Sequence, residues 1–264
     1  MKCKGLLLSS LFNVFMRTIA FMLLLIAGTA TSCAQYYMNV FNKNGETVRF
    51  AVTELDSVFF TYKEIPAYEY VDLGLSVKWA TFNVGATKPE EFGDYFAWGE
   101  TKPKEDYSWP AYKWCNGSYD SLTKYNTKSD YGTVDDMTVL DPEDDVAHVR
   151  WGGSWRMPTK AEQEELLDSC TWTWFDSGNT EFNGVAGCKV TSNVEGYTDR
   201  SIFLPASGYR ESLLLGGVGY YGYYMSSLCS GSPYFARVLE LSSDSRRIYY
   251  AFRCNGQSVR PVCP

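Results

Sequence analysis

Histidine is nearly missing: His148 stands alone in 264 residues. That excludes any site needing two imidazoles, the HExxH zinc motif among them. No GKS or GKT follows a glycine-rich turn, and no GxSxG elbow occurs. The glycines of Gly184-Val185-Ala186-Gly187 have no strand-GxGxxG-helix setting. Phosphate cradling, elbow-type nucleophilic catalysis and dinucleotide binding therefore lack their signatures. No CxxC pair is present to suggest a metal knuckle or a redox couple. Basic residues are in deficit, 24 Lys and Arg against 31 Asp and Glu for a formal net charge of -7. A nucleic-acid binder needs a basic footprint, so no nucleic-acid partner is expected. Neither a metal nor a cofactor is expected.

What is present is a globular composition, 45% apolar and 21% charged, with aromatics at a high 16%. Such a chain buries a core, and rings with a polar tip suit β-rich folds and contact surfaces. The last quarter, Gly216 to Val262, concentrates tyrosine in pairs (Tyr220-Tyr221, Tyr223-Tyr224, Tyr249-Tyr250) among Ser, Gly and Cys. Tyr with Ser and Gly is the composition of a recognition surface, giving large contact area for little rotamer entropy. The candidate ligand-binding residues are Tyr221, Tyr223, Tyr234, Tyr249, Tyr250 and Phe252 as stacking anchors, with Arg246 as a charged fork. No catalytic constellation is visible there, and the chain reads as a non-enzyme.

Residues 1–32 read as an export signal: Arg17, the apolar run Ile19 to Ala27, then small residues. The run is too short to span a bilayer. Ala30-Thr31-Ser32-Cys33 resembles a bacterial lipobox, which makes Cys33 the expected lipidation site and the N-terminal lipid the only contact with the membrane. Cleavage near Ala34 without lipid is the plainer alternative. Cys115, Cys170, Cys188, Cys229, Cys254 and Cys263 remain in the mature chain at irregular spacing. An oxidising compartment permits disulfides, while small buried hydrophobes suit several of them equally.

Residues 33–66 predict a β-hairpin spacer. YYMNVF and ETVRFAV flank Asn42-Lys43-Asn44-Gly45, and Leu55 to Phe60 resembles a short N-terminal module of exported Bacteroidetes proteins. Residues 67–264 predict an α+β domain. Trp79 and Trp98 are candidate core residues, and Tyr107 to Gly132 reads as a long surface loop. Asp141-Pro142-Glu143-Asp144-Asp145 predicts a helix N-terminus with Asp141 as cap, running to about Arg150, rather than a calcium loop. Thr159 and Glu162 predict a capping box for a second helix whose apolar face is Ala161, Leu166, Leu167 and Cys170. Glu164 and Glu165 diverge by about 100° on that helix and form a solvated face, not a catalytic pair. Strands alternating with glycine turns follow.

WATFNVGAT, GDYFAWGET, WGGSWRMPTKAEQEEL, CTWTW, IFLPASGYR and the closing GQSVRPV, in this order from Tyr68 to Pro264, together resemble the Bacteroidetes and Fibrobacter major paralogous domain proteins. Those belong to the C-type-lectin-like, formylglycine-generating-enzyme-like superfamily. The resemblance implies a C-type-lectin-like fold of short strands, two helices and long loops, preceded by the small hairpin. In several members the segment before SVRPV is rewritten by a diversity-generating retroelement, and Leu228 to Tyr234 and Arg246 to Cys254 carry residues compatible with this. The enzymatic branch holds copper with a close cysteine pair; Cys254 and Cys263 are the nearest here, and the intervening NGQSVRPV does not match that site. The calcium-lectin motifs Glu-Pro-Asn and Trp-Asn-Asp do not occur. The expected protein is thus a lipoprotein at the outer membrane or cell surface, adhesin-like, recognising a protein or glycan through Tyr-rich C-terminal loops that such an element could diversify. The alternatives are a subunit or tip of a surface fibre and, further off, a formylglycine-generating-type oxidase.

Overall fold

The computed structural model describes residues 37–41, 47–51, 68–229 and 231–264. They belong to two compact units divided between Lys63 and Glu64. The export signal, Cys33, the Asn-Gly turn and the Leu55 to Phe60 run lie outside the described residues. In the first unit β1 (Tyr37–Phe41) pairs antiparallel with β2 (Thr47–Ala51), Tyr37 opposite Ala51 and Phe41 opposite Thr47. The two strands of the predicted hairpin are therefore paired.

The second unit is α+β, with two α-helices and several small antiparallel sheets among the described residues. β3 (Tyr70–Val71), β4 (Lys78–Ala80) and β13 (Val262–Cys263) form one sheet with β4 central, which brings the chain's end back beside the unit's beginning. α1 (Val146–Trp151) and α2 (Lys160–Ser169) come next. β5 (Cys170–Phe175), β6 (Gly187–Ser192) and β7 (Ser201–Pro205) make a meander, and β8 (Tyr209–Glu211) with β9 (Leu214–Gly216) a short hairpin. The last sheet is β10 (Gly222–Cys229), β11 (Phe235–Leu241) and β12 (Arg246–Phe252), in that order.

Apolar side chains from these elements and from the loops between them gather into three clusters among the described residues. Trp98 joins Phe96, Tyr125, Met157 and Val238 in one. Trp79 joins Leu166, Leu204, Tyr224 and Leu239 in a second. Tyr95, Tyr107, Tyr112 and Cys254 make a third. Trp79 and Trp98 are fully buried, as their position between glycine-punctuated strands predicts. Complete burial of a large apolar side chain stabilises by about 1.5–3 kcal/mol.

Three local expectations are corrected. The cap of α1 is Asp145, not Asp141, and the helix begins at Val146. Asp145 Oδ1 accepts from the Ala147 and His148 N–H groups while Oδ2 accepts from Met157 N–H. Asp141 is instead tied with Asp144 to Lys124, at 2.6 and 2.9 Å. On α2 the capping box of Thr159 and Glu162 forms in full, but Ala161 is exposed and Gln163 takes a buried place, its amide donating to Tyr224 O. Glu164 and Glu165 part company as expected, one bonding Lys160 and the other Ser76. Thirdly, the stretch from Tyr107 to Gly132 is not peripheral, since Tyr107, Tyr112, Leu122 and Tyr125 are buried. Each of those tyrosine hydroxyls finds an acceptor: Tyr95 O, Trp98 O and Asp144 Oδ2 respectively. The six cysteines from Cys115 onward are unpaired, and all but Cys115 are buried.

Two buried arginines pair with no carboxylate among the described residues. Arg253 donates to Tyr112 Oη and to the carbonyls of Lys124, Tyr125 and Pro233 at 2.9–3.1 Å, its guanidinium lying 4.7 Å from the Trp98 ring centre. Arg260 donates to Asn83 Oδ1 and to the carbonyls of Ala80, Thr81 and Phe203. Burial pulls the Arg260 guanidinium down to about 10. A planar fork of donors suits such a role, tying separate loops through their carbonyls.

Candidate functional site

β11 is covered along most of its length, with Ala236 and Val238 to Leu241 buried. β12, at the sheet's edge, half-buries Ile248 and Ala251 and exposes Arg246, Arg247, Tyr249, Tyr250 and Phe252. Large side chains are thus held on a paired backbone while their tips face outward. Tyr249 and Tyr250 stack with centres 4.8 Å apart. Phe235 lies 5.5 Å from Tyr250 and stacks on Phe252 at 4.9 Å. Tyr234 extends the row towards Tyr131 at 5.2 Å and Tyr119 at 5.6 Å.

A second group of rings faces this row. The β8–β9 hairpin is set beside β10 by Gly208, whose N–H donates to Tyr221 O at 2.7 Å. Gly208 has φ +67°, and a Cβ there would sit 2.1 Å from Gly216 O, so only glycine fits. This puts the Tyr209 ring edge-on to Tyr223 at 5.4 Å, with Tyr221 6.2 Å from Tyr223. Burial, then the negative charge of Glu240, pushes the Tyr223 hydroxyl well above the usual tyrosine range. Tyr223 pairs in register with Glu240, and Glu240 with Arg247. Arg247 bonds Glu240 at 3.0 Å and stands 4.5 Å from the Tyr249 ring centre.

Between the two groups lies a cleft of about 320 Å³, lined among others by Tyr209, Tyr223, Tyr249, Tyr250 and Glu211. Its floor is made by Asn255 and Gln257, both buried. The floor segment is fixed by reciprocal backbone bonds, Gly256 with Arg210 and Gln257 with Phe96. Gly256 is required by close approach, because a Cβ would lie 2.5 Å from the Tyr107 ring. Gln257 is 2% exposed, and its side-chain oxygen has no hydrogen-bond partner among the described residues. Leaving such an acceptor unmet costs about 1–3 kcal/mol.

A larger cleft of about 570 Å³ lies by Trp174, Val218 and Tyr220. Its one carboxylate, Asp176, already accepts from Trp174 Nε1 at 2.8 Å. Volume favours that cleft; ring density and an unmet polar group favour the first.

Of the residues singled out from the sequence, Tyr223, Tyr249, Tyr250 and Phe252 meet at the cleft. Tyr221 stands exposed beside it, and half-buried Tyr234 extends the aromatic row from Phe252, 6.4 Å away. Arg246 does not join them. It begins β12, opposite Leu241, while Phe252 ends it opposite Phe235, a separation of about 20 Å along the strand. There Arg246 lies against Cys188, whose thiol burial raises to about 11. Sequence reasoning missed Tyr209, Glu211, Phe235, Asn255 and Gln257, which reach the cleft through pairings no local pattern announces. Among the described residues no cluster of His, Cys, Asp and Glu is arranged to hold a metal ion. No protein-family model, curated protein or solved structure matches the chain.

Proposed function

We propose that this chain is an exported lipoprotein of the outer membrane or cell surface, anchored through Cys33, whose C-type-lectin-like head binds a protein or glycan ligand with the ring-lined face of β12 and β10. The family is that of the major paralogous domain proteins, on the motif set from WATFNVGAT to GQSVRPV. One observation carries the binding reading: Tyr249, Tyr250 and Phe252 project from an edge strand beside a cleft, 36–44% exposed, while the strand beneath them is buried. Exposed large rings on a stiff support are the usual anchors of recognition. Leu228 to Tyr234 and Arg246 to Cys254 meet at the Tyr234 and Phe252 rings; most of the second segment is strand β12 rather than the loop expected from the sequence, and its exposed side chains suit a surface open to diversification. A neighbouring reverse-transcriptase gene, with an imperfect copy of these codons differing only at adenines, tests that point.

The oxidase alternative is disfavoured by Cys254. It is 3% exposed and packed among Tyr95, Tyr107 and Tyr112, closed off from any substrate. The edge position of β12 favours one second reading, a fibre subunit or tip in which that strand pairs with another copy. Sedimentation of the full chain as a stable monomer at high concentration overturns it.

The test of binding is a screen of the full chain against immobilised glycans and extracellular proteins, repeated with Tyr249→Ala combined with Tyr250→Ala. The double variant is expected to lose about 2 kcal/mol or more of binding to whatever the parent captures, with its unfolding midpoint nearly unchanged. Equal capture by the two proteins, or unfolding of the variant, removes these rings from the site.

A further inference from the structure

We infer that the cleft between Tyr209, Tyr223 and Tyr249 takes the guanidinium of an arginine side chain from a protein ligand. The inference rests on the binding role proposed above and narrows the ligand's chemistry. Three observations converge on it.

First, the cleft's charged lining is a single carboxylate, Glu211, which forms no ion pair among the described residues. Second, Gln257 lines the cleft, and its side-chain oxygen, itself buried, has no hydrogen-bond partner among the described residues. Both groups are acceptors waiting for donors, and a guanidinium is a fork of donors with no acceptor of its own. Third, the walls are tyrosine rings, whose faces attract cations. The same rings already do this within the molecule: Arg247 stands 4.5 Å from the centre of Tyr249 and Arg237 5.4 Å from that of Tyr250. A planar cation entering between Tyr209 and Tyr249 stacks on a ring, neutralises Glu211 and donates to Gln257 Oε1. A neutral sugar stacks equally well but makes no ion pair with Glu211, whereas a guanidinium adds a charge-assisted hydrogen bond to it.

The probe is N-acetyl-L-arginine methylamide, titrated into the isotope-labelled full chain while the side-chain amide signals are followed by NMR. Its neutral isostere, the citrulline derivative, and a set of methyl glycosides serve as comparisons. Saturable movement of the Gln257 side-chain amide is expected with the arginine derivative, and binding at least about tenfold weaker with citrulline. Glu211→Gln, at an exposed position, is expected to weaken the arginine derivative about tenfold without moving the unfolding midpoint. Equal binding of arginine and citrulline, an unmoved Gln257 amide, or indifference to Glu211→Gln overturns the inference. Saturable binding of a methyl glycoside with arginine silent overturns it too, and gives the cleft to a glycan. If the arginine probe fails while the Tyr249→Ala, Tyr250→Ala protein still loses its captured ligand, the general binding role stands and only the cationic assignment falls.

Discussion

The tyrosines divide between two regions that use the same side chain for opposite ends. In the interior of the domain, Tyr95, Tyr107, Tyr112, Tyr125 and Tyr224 are buried, and every hydroxyl has a partner: Ser207 O, Tyr95 O, Trp98 O, Asp144 and Pro205 O. On the outer strand, Tyr249 and Tyr250 are exposed, and their hydroxyls bond no other described residue. A buried hydroxyl without an acceptor is penalised, so the first group is specified by its bonds; an exposed one is satisfied by water, so the second is free to be specified by something else. The interior also holds the charged clamps. Arg253 ties Lys124, Tyr125 and Pro233 together, and Asp144 accepts from Lys113, Lys124 and Tyr125.

The largest effect expected from breaking this division is at Arg253. Arg253→Met strands three carbonyls and takes the donor from the Tyr112 oxygen, whose own bond to Trp98 O remains, and should lower stability by at least about 3 kcal/mol in urea unfolding. A loss under about 1 kcal/mol denies the clamp its role. Next comes Asp144→Asn, expected to lose about 2–3 kcal/mol at neutral pH. Burial alone would raise that carboxyl, but the bonds from Lys124, Tyr125 and Lys113 outweigh it and hold the group below its ordinary value. A depressed carboxyl contributes stability above the unfolded value of about 4 and loses it as pH falls through the folded one. Thermal unfolding of parent and variant should therefore differ most near neutrality and converge as the pH drops below about 4. The smallest effect sharpens the contrast directly. Tyr224→Phe removes a buried hydroxyl that donates to Pro205 O at 2.7 Å and should cost about 1 kcal/mol. Tyr249→Phe and Tyr250→Phe should each stay within about 0.5 kcal/mol. Equal losses at Tyr224 and Tyr249 would erase the distinction.

What could be read from the chain follows the range of the interaction responsible. The capping box of Thr159 and Glu162 is visible because both partners lie within one turn. The start of α1 is not, because Asp141, Asp144 and Asp145 all qualify locally, and the choice is made by Met157 N–H and Lys124 from elsewhere. The Tyr107 to Gly132 stretch looks peripheral since its residues are polar or amphipathic, yet its tyrosines bring their own hydrogen bonds into the interior. Rings at Tyr249, Tyr250 and Phe252 announce a surface by composition alone. The cleft's floor does not, since Gln257 gains its place from the Gly256–Arg210 and Gln257–Phe96 pairings. Arg246 shows the converse: nearness in sequence to those rings is undone by the extended rise of a strand.

Phe252 and Arg253 are neighbours on the chain, one 38% exposed at the end of an edge strand and the other wholly enclosed. The border between freely replaceable and irreplaceable positions is thus a single peptide bond wide. Substitutions along the exposed side of the strand leave the enclosed guanidinium and its carbonyl partners untouched, and the first step past that border puts folding itself at risk.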